Sequence, residues 1–132
     1  MFGVVLFVLT LLVPQPAKPV ALPDTPQGKH LQAYINGFNT GDEKKYLAMM
    51  DVHMEPGLLK RRSAEERAKL FQRLRGDFGT FKVSKVLKAS AEEIRLAIPD
   101  KEGTQATFLF NFEPAAPFRI AGMGVEIDKG ER

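Results

Sequence analysis

Apolar residues recur at helical spacing through the first half of the chain and at every second position through much of the rest. The first helix is expected to begin at Thr25, a good N-cap. Pro26 fits the first helical position, where its missing N–H is not needed. Leu31, Tyr34, Ile35 and Phe38 then form one apolar face. Asn39-Thr40-Gly41-Asp42 ends it, with Gly41 suited to a left-handed C-cap and Asp42 to capping the next helix. A second helix is predicted from Glu43 to Val52, with Tyr46, Leu47 and Met50 inward, Met49 at the border, and Glu55-Pro56-Gly57 as its breaker. A third starts at Ser63, which forms a capping box with Glu66. Leu70, Phe71, Leu74 and Phe78 make its buried stripe, and Gly76 and Gly79 mark a frayed end.

The period then changes to that of a strand. Phe81, Val83 and Leu87 alternate in a first strand, and Ile94, Leu96 and Ile98 in a second. Pro99 to Gly103 reads as a hairpin loop. Ala106, Phe108, Phe110 and Phe112 give a third strand an aromatic face, and Pro114-Ala115-Ala116-Pro117 is a rigid connection. A fourth strand opens with Phe118 and Ile120 and then changes phase to Met123, Val125 and Ile127. Gly122 and Gly124 lie where the phase slips, which predicts a β-bulge that bends the sheet. The opposite phase of the sheet, with Lys82, Ser84, Val86, Arg95, Thr107, Leu109 and Asn111, is amphipathic enough to permit a homodimer without requiring one. The expected fold is α+β: three helices on the concave side of a curved four-stranded antiparallel sheet.

Ahead of this region, Val4 to Val13 reads VVLFVLTLLV, with Thr10 its one polar residue. That run has the length of a signal-peptide core and is too short to span a bilayer of about 30 Å as a helix. No Lys or Arg precedes it, and four prolines follow between Pro14 and Pro23. Export with cleavage near Ala21, to a periplasmic or extracellular location, is the leading expectation. An uncleaved N-terminal anchor is its rival and the sole expected route to membrane contact. A disordered apolar tail or a misplaced start is the third reading. The chain thus divides into a leader and linker over 1–23, a folded domain over 24–128 and a polar tail over 129–132.

The domain holds roughly 110 residues, a size that buries about 65% of its unfolded surface and needs no metal or disulfide staple. With no Cys in the chain, disulfides, thiol nucleophiles, thiolate zinc sites and a lipid-anchored Cys are excluded. A net charge of +3 is mildly basic. Lys60-Arg61-Arg62, Lys69, Arg73 and Arg75 surround the third helix. They read either as a solvated helix face or as an attraction to an anionic surface. Nucleic acid is not expected, because no exposed aromatic ladder accompanies them.

Several segments carry a resemblance: LPDTPQGK from Leu22, AYINGFNTGD from Ala33, VHMEP from Val52, SAEERAKLFQRLRGDFG from Ser63 and FRIAGMGVE from Phe118. With the order of helices before strands, they resemble the NTF2-like/cystatin-like α+β superfamily over nearly all of residues 22–127. More narrowly they resemble the NTF2-like region that precedes β-lactamase-like serine hydrolase or peptidase domains in some secreted bacterial proteins. No position here matches those domains' catalytic Ser and Lys. The resemblance therefore implies the fold, export and an accessory or binding role, not catalysis.

Of the candidate site residues, Arg67 stands out, because it falls on the apolar stripe of the third helix. A charge there must be paired, reach a cavity or snorkel outward. It is either an anion anchor or half of an internal salt bridge. The ligand hypothesis places an apolar or acidic small molecule in a pocket lined by Tyr34, Phe38, Phe71, Phe110 and Met123, with Arg67 as its polar group. The aromatic residues among these read equally as core. Asp51, His53 and Glu55 alternate as potential metal ligands on an extended segment, but on a helix His53 would point away. No metal and no cofactor is assigned. His53 is the one plausible general base near neutral pH, and Tyr34 offers a hydroxyl, yet the strands supply almost no inward polar partner. No catalytic residue is assigned. The alternatives to a ligand-binding domain are an interaction module, as a homodimer or partner of a separate hydrolase, and a small NTF2-like isomerase, dehydratase or cyclase.

Overall fold

The computed structural model describes residues 20–127. The apolar run Val4–Val13, the linker up to residue 19, Asp128 and the tail 129–132 lie outside the described residues. The elements are α1 (Pro26–Asn39), α2 (Glu43–His53), α3 (Pro56–Arg61), α4 (Ala64–Phe78), β1 (Lys85–Ala89), β2 (Glu93–Pro99), β3 (Gln105–Phe112) and β4 (Ile120–Ile127). The strands form one antiparallel sheet in the order β1-β2-β3-β4. The α+β architecture is the expected one. No helix among the described residues is long and apolar enough to cross a membrane.

The helix starts follow their side chains. Thr25 accepts from the Gly28 N–H at 3.1 Å and Asp42 from the Lys45 N–H at 3.1 Å. Ser63 accepts from the Glu66 N–H at 3.1 Å. Each fills a donor that the first turn leaves open. Glu55-Pro56-Gly57 departs from expectation. The Glu55 carboxylate accepts from the Gly57 and Leu58 N–H groups at 2.8 and 3.1 Å, so it caps a short extra helix, α3, with Pro56 in its first turn. The triplet that ends α2 also starts α3. Gly76 lies inside α4, which runs on to Phe78 before Gly79 caps it at φ 72°.

Two strands differ in phase from the sequence reading. Phe81 and Val83 precede β1. Within β1 the register shifts between Val86 and Lys88, so Val86 pairs with Leu96 and packs against the core while Leu87 is exposed. In β4 the shift falls at Ala121, between the Gly122–Asn111 and Ile120–Phe112 pairs, which carries both Ile120 and Met123 to the inner face. Gly122 and Gly124 lie beside Asn111 and Leu109 instead of forming the bulge. Phe118, expected to open the strand, sits in the preceding turn at φ 58°.

The core is one cluster between helices and sheet. Phe81 is its hub. Its ring stacks on Phe38 at 3.6 Å between centroids and meets Phe108 at 4.9 Å and Phe78 at 5.6 Å edge to face. Asn39 fixes the backbone there, accepting from the Phe81 N–H at 2.7 Å and donating to the Phe81 carbonyl at 3.0 Å. At the other end, Met54 forms a parallel bridge with Ile120, and the Glu55 N–H donates to the Ile120 carbonyl at 2.8 Å. That bridge fixes the end of α2, and α3 after it, beside the first residue of β4.

Candidate functional site

The aromatic side chains fill most of the space between helices and sheet. What stays open is a cavity of about 210 Å³ at the end fixed by the Met54–Ile120 bridge. Met50 and Met54 wall it from α2 and the residue after it, Leu58 and Leu59 from α3, Leu70 from α4, and Met123 and Val125 from β4. Two arginines, Arg62 and Arg67, complete the lining.

Arg67 is the side chain with unspent chemistry. It leaves the first turns of α4 with 12% of its side chain exposed. Its Nη1 lies 3.4 Å from the Asp51 carboxylate, which is itself 66% exposed, so the pair is loose and one-sided. Its Nε is buried and has no hydrogen-bond partner. An unfilled buried donor costs about 1–3 kcal/mol, more when charged, unless something accepts from it. A carboxylate offers two acceptors in the fork geometry a guanidinium presents.

Of the residues the sequence suggested for a pocket, Arg67 and Met123 line this cavity. Tyr34, Phe38, Phe71 and Phe110 do not. They are buried in the closed core. The correction has a packing cause. Phe38 meets Phe71 at 5.6 Å and Tyr34 meets Phe110 at 5.5 Å, so these rings occupy one another's space and leave none for a ligand. The Tyr34 hydroxyl is spent on that of Tyr46, 3.0 Å away. Burial first, then the neighbouring Tyr46, pushes the Tyr34 phenol well above its ordinary pKa. The Tyr46 phenol is also raised by burial, although Arg67 and Arg62 oppose the shift, which places their field at the edge of the core.

Leu58 and Leu59 were missed, and Arg62 was read only as part of the basic region, because the segment holding them reads as the break after α2. Glu55 before Pro56 was the available signal, the same cap-plus-proline pattern that marks α1. The basic region around α4 disperses: Arg62 enters the cavity, Lys69 pairs with Glu65 at 3.6 Å on the surface, and Arg75 donates to the Gly79 carbonyl. A second, larger depression of about 590 Å³ lies between α1 and the Phe81–Ser84 segment. The Asn39 side chain within it is already committed to the Phe81 backbone.

Asp51, His53 and Glu55 do not converge. Asp51 faces Arg67, Glu55 caps α3, and His53 turns to His30 on α1 with the two Nδ1 atoms 3.0 Å apart. Among the described residues no three His, Asp or Glu side chains gather as a metal site would require. The histidine pair has a defined proton order. His30 Nε2 lies 2.8 Å from the Pro117 carbonyl, which can only accept, so Nε2 carries the hydrogen. Neutral His30 then presents a lone pair at Nδ1, which the His53 Nδ1–H fills. Burial, then the nearby His30, lowers the His53 pKa below its ordinary value.

The sign of the pH effect follows. Below pH 6.5 the unfolded chain takes up a proton at this residue more readily than the folded one, so stability falls as pH drops from 7 through that range. Glu113, which also faces His30, is held below the usual carboxylate range by hydrogen bonds from Arg119. Its contribution is therefore lost at lower pH, beneath its ordinary 4.5. Thermal melts of the unaltered chain should lose more stability between pH 7 and 5 than those of His53→Gln. Parallel pH dependences would remove the histidine from this role.

No family model matches the chain, and no similar curated protein or solved structure was found.

Proposed function

We propose that this is an exported, non-catalytic ligand-binding domain of NTF2-like architecture, whose cavity between α2, α3, α4 and β4 takes a small amphipathic acid. The observation that carries the reading is Arg67: a guanidinium with a buried, unpartnered Nε on the wall of an otherwise largely apolar cavity. Methionine and leucine walls accept an aliphatic body of varied shape, and the guanidinium selects an anionic head over a neutral one. The non-catalytic part is supported by the placement of the two residues that the sequence singled out for proton chemistry. Tyr34 is closed in the core and His53 is engaged with His30, and neither lines the cavity.

Hexanoate and hexanamide, titrated separately and followed by amide chemical shifts, test this. Hexanoate should shift Leu59, Leu70 and Met123. Hexanamide, and hexanoate with Arg67→Met, should bind roughly tenfold or more weakly, the loss of one charged hydrogen bond of about 1.5–3 kcal/mol. Equal affinity for acid and amide would overturn the anionic specificity. Loss of the folded spectrum in Arg67→Met would assign the arginine to the structure instead of the site.

A further inference from the structure

The cavity is small for anything larger than a short-chain acid. Sites that bury drug-sized molecules span about 300–1,000 Å³, against about 210 Å³ here. This is room for one anchoring group, with the remainder of its molecule outside. What lies outside is a strand edge. Met123 and Val125, two of the wall residues, belong to β4, the last strand of the sheet. Among the described residues β4 pairs along its length with β3 alone, and its other edge is engaged only at Ile120, by the bridge from Met54. The inner-face side chains continue from the cavity wall at Val125, 37% exposed, to Ile127 beyond it, 50% exposed.

We propose that the occupant is the C-terminal end of an extended polypeptide. Its terminal carboxylate meets Arg67 and Arg62, its last aliphatic side chain fills the cavity, and its backbone adds a strand to the open edge of β4. This rests on the cavity being the binding site and names the class of partner that uses it. Three observations converge on that class. A single carboxylate complements the two arginines on the cavity wall, Arg67 and Arg62, and the surrounding charge is favourable, since Lys60 and Arg61 end α3 beside Arg62. A chain terminus delivers a carboxylate and a side chain together at the end of a thin backbone, which suits a cavity sized for an anchor. An open edge presents backbone N–H and C=O groups that a free fatty acid leaves unpaired and a peptide pairs. Met54 and Glu55 already use the start of that edge in this way, with the Glu55 N–H on the Ile120 carbonyl.

The test uses the full chain and three probes: a mixture of random heptapeptides with free C-termini, the same mixture amidated, and hexanoate. Affinity selection from the free-terminus mixture should recover peptides ending in valine, leucine or isoleucine. Resynthesised singly, these should bind about tenfold or more tightly than hexanoate and lose about tenfold on amidation. Amide exchange should slow at residues in 124–127, where hexanoate has no effect. Ile127→Lys, outside the cavity, should weaken the peptides and spare hexanoate. If hexanoate binds at the cavity but free-terminus peptides are not enriched over amidated ones, or leave β4 exchange unchanged, the polypeptide proposal falls and the cavity reading survives. If neither hexanoate nor any peptide perturbs the cavity, both fall.

Discussion

Replacing Phe38 with alanine is expected to cost about 3–5 kcal/mol, the range for deleting a buried aromatic ring. Phe38 is fully buried. It stacks on Phe81, meets Phe71 and Tyr46 edge-on, and lies beneath the Arg75 guanidinium, 5.8 Å from its ring centre. The void would be walled by other rings, which collapse inward poorly. A domain of this size has about 5–15 kcal/mol in total. The variant should therefore melt on the order of 20 °C lower. Urea unfolding gives the comparison directly. A loss under about 1 kcal/mol would show that the interior repacks and that the aromatic cluster is not the main support of the fold.

The second large effect is an asymmetry between single and double substitutions at the buried tyrosines. Tyr34 and Tyr46 are fully buried and their hydroxyls meet at 3.0 Å. Tyr34→Phe leaves the Tyr46 hydroxyl without that partner at a position closed to water, at a cost of about 1–3 kcal/mol. Tyr46→Phe strands Tyr34 in the same way. The double variant removes both polar groups and keeps both rings, so it should be closer to the unaltered chain than either single variant is. Denaturant unfolding of all four proteins completes the cycle. Additive single costs in the double variant would mean that the hydroxyls do not depend on each other.

These rings also show where sequence reasoning succeeds and where it stops. Periodicity identified Tyr34, Phe38, Phe71 and Phe110 as inward-facing, and they are. It cannot say whether the space they face is already full, because that depends on rings brought together from α1, α4, β3 and the segment before β1. Arg67 was legible because a charge interrupts an apolar stripe, and such an interruption needs a local cause. Arg62 had no comparable signal, since its place in the cavity depends on α3, and α3 was hidden by a Pro-Gly pair that reads first as a breaker. His30 gave no signal. Its partners His53 and Pro117 are far away along the chain and arrive by folding alone. The caps at Thr25, Asp42 and Ser63 were readable because a cap is settled within a few residues. The register shifts in β1 and β4 were readable only in part, because a bulge is a property of two strands and the sequence displays one at a time.

The sequential order β1-β2-β3-β4 has a kinetic consequence. Each strand pairs with its neighbour along the chain, so the sheet closes through short connections with little loop entropy to overcome. The contacts of greatest sequence separation join the helical half to the sheet half, among them His30 to Pro117, Tyr34 to Phe110 and the Met54–Ile120 bridge. Contact order therefore predicts that folding speed is set less by assembling the sheet than by docking the helical half onto it. The bridge that completes the cavity wall belongs to that docking, so the cavity exists only once the two halves have met.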